Sequence, residues 1–268
     1  MGVKVLEVVV DGCRLVVEVD GPEDAPVCLL LHSLGTTVEL WSPQWEPFQR
    51  SFRVIRYDVR GHGRSQPAAG PYTLDRLGRD ALAVLDIAGA ERAHVCGVSL
   101  GGLTAQWLGA HAPDRIARLV VANTAARLGS REVWAERMGA VRRGGMAAVA
   151  DASVARWFTD RYREVEPATV DDFRSMLLAC PVEGYAGCCA VLRDGDLREV
   201  VGSIQAPTLV ITGSYDAATP PSLGESLRQR VPGAQGLELD AAHLSNVEQS
   251  EAFTAGVLEF LFHGSTAW

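Results

Sequence analysis

The sequence predicts an α/β fold: a mostly parallel, doubly wound sheet flanked by helices and interrupted by an all-helical insertion. Three observations carry this. Short apolar runs alternate with helically spaced segments through residues 27–122. Gly97-Val98-Ser99-Leu100-Gly101 stands between such an apolar run and a helical segment. Strand patterns stop near residue 125 and resume only at residue 207.

The chain has 268 residues, 47% of them hydrophobic, enough for one large core with an insertion. Its net charge of −8 and lack of a basic run argue against a nucleic-acid surface. No apolar stretch approaches membrane-spanning length. Glu7 and Asp11 interrupt the N-terminal apolar residues, so no signal-peptide pattern forms. The six cysteines have neither disulfide-framework nor metal-ligand spacing. Together these predict a reduced, cytoplasmic protein acting on a small molecule, with no metal or cofactor and no membrane partner.

Residues 3–10 and 15–19 flank Asp11-Gly12 and predict a hairpin at a sheet edge. Residues 27–32 are apolar up to His32, the pattern of a strand covered on both faces, and lead into the loop His32-Ser33-Leu34-Gly35. A short helix is expected over 41–48. Strand 53–57 runs into a glycine-punctuated turn over 58–65. Residues 73–88 place Leu74, Leu77, Ala81, Leu85 and Ala88 on one helical face. Strand 93–96 precedes the Ser99 turn, a helix follows it to His111, and 115–122 is the next strand. Helices are expected over 131–142, 146–158, 170–179 and 184–193. Strand 207–213, helix 221–229 and strand 235–239 complete the sheet. Ser245-Asn246-Val247-Glu248 reads as a capping box opening a last helix through Phe260. The expected division is a core of residues 1–124 and 205–268 with a helical cap over 125–204.

The chemistry centres on Ser99. A sharp strand-to-helix turn strains the serine backbone and crowds its neighbours, so Gly97 and Gly101 must lack a Cβ. The helix beginning at Leu100 aims free N–H groups at the serine. A serine at its ordinary pKa needs a base, itself held by a carboxylate, and on such a sheet the three follow in the order serine, acid, histidine. Asp216 follows strand 207–213 and His243 follows strand 235–239, so both emerge on the Ser99 rim. Asp240 and Glu248 are weaker acids for this role, being too near His243 in sequence. The backbone N–H groups of Leu100 and Leu34, with Ser33 as alternative to Leu34, are the expected oxyanion donors. His32 and His62 read as scaffold residues. His94, His111 and His263 read as strand, helix-end and tail residues.

These features resemble the α/β-hydrolase superfamily over nearly the whole chain. Closer similarity is carried by residues 35–44, by Val98 to Trp107, by Glu183-Gly184-Tyr185-Ala186-Gly187-Cys188-Cys189, and by His243-Leu244-Ser245-Asn246-Val247-Glu248-Gln249. Those segments resemble the 3-oxoadipate enol-lactonases. Ser33 departs from the glycine that most superfamily members carry there. The resemblance implies an eight-stranded sheet, a Ser99–His243–Asp216 triad, hydrolysis of an ester or lactone, and an anionic lactone carrying a free carboxylate as substrate. Arginine suits such an anion, because its fork grips a carboxylate with two hydrogen bonds. The helical insertion holds Arg127, Arg131, Arg137, Arg142 and Arg143, with Trp134 among them. Arg127 and Arg131 lie nearest in sequence to the strand end at Ala122, and with Trp134 they are the expected substrate-binding residues. Carbon–carbon bond hydrolases of ring-cleavage products, general esterases and perhydrolases share this scaffold, as do non-enzymatic receptors. A complete triad argues against a pure receptor, which needs no nucleophile.

Overall fold

The computed structural model describes residues 2–262, so His263 lies outside the described residues. Eight strands form one sheet: β1 (Lys4–Val10), β2 (Cys13–Asp20), β3 (Val27–Leu31), β4 (Arg53–Tyr57), β5 (Ala93–Val98), β6 (Ile116–Ala122), β7 (Thr208–Gly213) and β8 (Gln235–Leu239). Their spatial order is β1-β2-β4-β3-β5-β6-β7-β8. Only β2 runs against its neighbours, pairing antiparallel with β1 and β4. The edge hairpin closes through Asp11 and Gly12, whose φ values of 47° and 74° need residues tolerant of the left-handed region. Every residue of β5 is buried, His94 among them, as suits a central parallel strand covered on both faces.

Before the insertion the helices are α1 (Ser42–Gln49), α2 (Leu74–Ile87) and α3 (Leu100–His111). Thr73 begins α2 by accepting a hydrogen bond from the Arg76 N–H. In α3 all residues from Leu100 to Gly109 are buried. A helix apolar on every side belongs inside, and α3 packs on β3, β5 and β6. Between β6 and β7 lie only helices: α4 (Arg131–Gly144), α5 (Ala147–Trp157), α6 (Asp160–Val165), α7 (Pro167–Leu178) and α8 (Val182–Asp194). The short α6 is additional to the four that periodicity predicts. Its start is set by Thr159, whose Oγ1 accepts from the Tyr162 N–H. The chain closes with α9 (Pro221–Arg230), α10 (Ser245–Glu248) and α11 (Ser250–Phe262).

The expected capping box is not one. Ser245 Oγ donates to Asn123 Oδ1 at 2.5 Å, and Glu248 Oε2 accepts from the Ala242 N–H at 3.0 Å. With both side chains engaged elsewhere, residues 245–248 form a separate turn of helix and α11 starts afresh at Ser250.

The turn over residues 58–65 ties the sheet to the insertion. Asp58 Oδ1 accepts from the Val38 N–H at 2.9 Å, and Oδ2 accepts from Arg64 N and Nε at 3.1 Å each. Gly61 has φ +72°, and a Cβ there would lie 2.3 Å from Gly184 Cα in α8; a Cβ on Gly184 would lie 2.1 Å from Gly61 O. The two backbones touch without side chains between them. The two scaffold histidines brace the same region. His32 Nε2 accepts from the Val59 N–H at 2.9 Å while its Nδ1 donates to Ser33 O at 2.8 Å. His62 Nε2 accepts from the Gly35 N–H at 3.0 Å. A ring nitrogen that accepts from a backbone N–H carries no proton, so both rings are neutral. Burial lowers the His32 pKa; burial and then the adjacent His32 push that of His62 down to about 3. The six cysteines are free and buried, and burial pushes Cys28, Cys180 and Cys189 up to about 12, where they are inert thiols.

Two outcomes follow. An unfolded histidine takes up a proton near its model value of 6.5, whereas folded His62 resists protonation down to about 3. Stability is therefore full above pH 6.5 and lost progressively below it, His62 alone accounting for about 3 kcal/mol by pH 4. Urea unfolding at pH 7, 5 and 4 measures this, and His62→Gln should flatten the slope. Gly184→Ala should lower stability by about 1–3 kcal/mol although alanine favours helix by about 1 kcal/mol, because the added carbon meets backbone. Gly139→Ala in α4, which meets only the end of the Arg143 side chain at 2.9 Å, should not lower it. Thermal unfolding of the two variants makes the comparison.

Candidate active site

Ser99 sits at the carboxyl end of β5 with φ 56° and ψ −113°, the strained turn its flanking residues predict. A Cβ on Gly97 would lie 2.3 Å from Gly101 O, and one on Gly101 would lie 2.1 Å from Leu31 O. Both glycines are thus required by close backbone approach. The turn is pinned at both ends: Ser99 N donates to Ala122 O at 2.9 Å, and Ser99 O accepts from Leu103 N and Thr124 Oγ1 at 2.9 Å each. Leu100 opens α3, and neither its N–H nor that of Leu34 has an acceptor among the described residues. Leu34 and Ser33 line the same cavity as Ser99.

Asp216 and His243 meet as a buried pair, His243 Nδ1 to Asp216 Oδ2 at 2.8 Å. Both oxygens of Asp216 are further engaged. Oδ1 accepts from the Ala218 and Thr219 N–H groups at 2.8 Å each, and Oδ2 accepts from Asn123 Nδ2 at 3.0 Å and Thr219 Oγ1 at 2.5 Å. Burial raises the carboxyl's pKa, but His243 and the Thr219 donors outweigh it and hold the value at about 2. The aspartate is therefore ionised and fixed, with Nδ1 of the ring directed at it. Asn123 and Thr219 escape a reading of the sequence alone. Asn123 immediately follows β6 on the same rim, with φ 48°, and also bonds Ala242 O at 3.2 Å and Ser245 Oγ. A short polar residue directly after a strand of this sheet is the available signal. Asp240 is exposed, and Glu248 fastens the His243 loop to Thr159, so neither competes with Asp216. The Leu244 N–H donates to Trp157 O at 3.0 Å, which ties the same loop to α5.

Ser99 and His243 face one cavity of about 270 Å³. Its floor includes Ser33, Leu34 and Thr219; the helical insertion supplies Leu128, Val133, Trp134, Trp157, Tyr185 and Leu192. A larger groove of about 640 Å³ lies alongside and does not include Ser99. No aspartate or glutamate side chain lines the 270 Å³ cavity, but Arg137 and Arg156 do. Among the described residues no group of three or more His, Cys, Asp or Glu side chains is gathered to hold a metal ion.

Of the three expected substrate-binding residues, only Trp134 reaches the cavity, its indole N–H held by Leu128 O at 2.5 Å. Arg127 and Arg131 do not. Arg127 turns toward Asp196 at 3.7 Å and Arg131 toward Asp194 at 2.7 Å, the Arg131 side chain being 62% exposed. The acidic residues at the end of α8 draw both outward, which nearness to β6 in sequence does not reveal. Arg137 and Arg156 stand at the cavity instead.

Residues 26–250 match the α/β hydrolase fold family. The chain is 40% identical to 3-oxoadipate enol-lactonase 2 of Acinetobacter baylyi, across 88% of this chain and 89% of that one. It superposes on the enol-lactonase of Burkholderia xenovorans LB400 with a TM-score of 0.94 at 43% identity, covering 96% and 99% of the two chains. A thermophilic esterase of Thermogutta terrifontis with malate bound superposes with a TM-score of 0.90 at 28% identity, covering 96% and 98%. With this sheet order and the rim geometry described above, the chain belongs to the α/β hydrolase fold family.

Proposed function

We propose that the protein is a serine hydrolase that opens 3-oxoadipate enol-lactone, with Ser99 as nucleophile, His243 as general base and acid, and Asp216 as the residue that orients the imidazole. The observation that carries this is the buried 2.8 Å Asp216–His243 bond facing the Ser99 cavity. The relatives at 40% identity supply the substrate class. Residues 125–204 serve as a cap over a core of residues 1–124 and 205–268 in this reading.

Ser99 Oγ attacks the lactone carbonyl while His243 Nε2 takes its proton. The developing oxyanion is met by the N–H groups of Leu34 and Leu100, at the N-terminus of a buried helix where the dipole adds to the attraction. The ring C–O bond breaks, and the enolate so released, tethered within the acyl group, takes up the proton from His243, which is neutral again. An enolate is a better leaving group than an amine, so it demands less acid assistance from His243. Water, giving a proton to the neutral His243, then attacks the acyl carbon; the acyl–Oγ bond breaks, His243 returns that proton to Ser99, and the second carboxylate is released. Asp216 takes no proton; held at about 2, it stabilises the imidazolium formed in each half-reaction.

Ser99→Ala should lower kcat by about 10⁴-fold or more with the fold unchanged, and Asp216→Asn should be nearly as severe. Asp240→Asn should stay within about twofold of the parent. Stopped-time assays on the purified lactone, with circular dichroism to check folding, measure all three. More than a tenth of the parent rate in Ser99→Ala would overturn the assignment. A panel of simple esters and ring-cleavage diketones tests the substrate class: esters alone would point to a general esterase.

A further inference from the structure

We propose that Arg137 and Arg156 together form the receptor for a carboxylate on the substrate, with Arg156 the member left free to close on it. The inference rests on the serine-hydrolase reading and names the part of its cavity that selects an anion.

Arg137 and Arg156 are the two arginines of the insertion that line the Ser99 cavity, and unlike most of the others neither is matched to a carboxylate among the described residues; Arg143 and Arg161 also lack an ion pair there but do not reach that cavity. Arg127, Arg131, Arg142, Arg163 and Arg174 are each matched to a carboxylate. Arg137 is held by neutral partners: its Nε donates to Tyr185 Oη at 2.6 Å and its Nη2 to Ser153 Oγ. Its guanidinium carbon lies 5.8 Å from the Trp134 ring centre and 5.7 Å from that of Tyr185. None of these contacts cancels its charge, and all of them fix its direction. Arg156 is half-buried and has no hydrogen bond or ion pair among the described residues. Burial and then the charge of Arg137 lower its pKa, in keeping with two like charges near each other and both half-buried. Two guanidinium groups on one cavity without an acidic side chain are satisfied by an anion, and a planar carboxylate fits the fork of either. Arg156 stands where the cavity adjoins the 640 Å³ groove, whose acidic residues Asp160, Asp240 and Glu248 form no ion pair with it. Held at that end, a substrate carboxylate positions the remote carbonyl at the serine, which turns binding energy into rate.

The test compares two esters that differ in one charge, monomethyl glutarate and dimethyl glutarate. The ratio of their kcat/KM values isolates recognition of the carboxylate. Arg156→Gln and Arg137→Gln should each lower the anion-to-neutral ratio by about 10–100-fold, chiefly through KM of the anion. Arg156→Lys, which keeps the charge and loses the fork, should fall between. Arg127→Gln should leave the ratio as in the parent. An unchanged ratio in both cavity variants, or an equal fall in Arg127→Gln, overturns the proposal. Calorimetric titration of adipate into the Ser99→Ala protein, with and without Arg156→Gln, reads the receptor without turnover: binding should weaken by about 10-fold or more, and equal binding overturns it. Phosphate titrated in parallel should bind more weakly than adipate; the reverse would make the pair a general anion site and overturn the carboxylate assignment. If the parent turns over the glutarate esters and not the enol-lactone, the substrate assignment fails while the ratio still decides the receptor.

Discussion

At Ser99 the chain turns from β5 into α3 with φ at 56°, a conformation that costs a residue other than glycine about 1–3 kcal/mol. The surrounding backbone leaves it little alternative. Gly101 is seated against Leu31 O at the end of β3, and Gly97 against Gly101 itself. The close fit of β3, β5 and α3 therefore fixes where the serine points. It also fixes what stands opposite, because the residue after Leu31 is His32, where the loop that brings Ser33 and Leu34 to the cavity begins. His32 binds Val59 and His62 binds Gly35, so the loop and the 58–65 turn share one hydrogen-bonded frame. Strain at one residue is held by packing spread over three elements.

The electrostatics of the rim divide into two regions with opposite logic. Around Asp216 every donor other than the imidazole is neutral: two backbone N–H groups, the Asn123 amide and the Thr219 hydroxyl. These keep the carboxylate charged and still without supplying a rival cation, so His243 is its natural counter-charge when it carries a proton. Across the cavity the arrangement is reversed. Arg137 is oriented by a phenol and a hydroxyl, and Arg156 by nothing ionic. A chain with net charge −8 places cations where acids are absent.

How much of this could be read in the sequence depends on the range of the forces involved. The elbow was legible because its requirements are local: a strand, a strained serine, two glycines and a helix within a dozen residues. Asp216 and His243 were legible because each follows a parallel strand, and parallel strands deliver their ends to one rim. The sheet and its edge hairpin followed from periodicity alone. What escaped depended on partners distant in the chain. Arg127 and Arg131 are turned outward by Asp196 and Asp194, which approach only when α8 folds back. Ser245 and Glu248 have the spacing of a capping box, but Asn123 and Thr159 claim their side chains. Arg156 carried no motif; it stands out only once the Ser99 cavity is known to have no carboxylate in its lining.

The contact between Gly61 and Gly184 carries a consequence for how this scaffold can change. Because two backbones meet there, the seat of α8 is independent of side-chain identity, and only a residue without a Cβ fits on either side. The lining residues Val133, Trp134 and Leu192 project from helices whose placement that seat secures. Pocket shape can thus drift by substitution at the lining while the roof keeps its height above Ser99. A transplanted set of helices from another hydrolase would keep that height only if it brought a glycine to the same point. The pair of glycines thus sets the spacing between the 58–65 turn and α8 independently of the side chains around it.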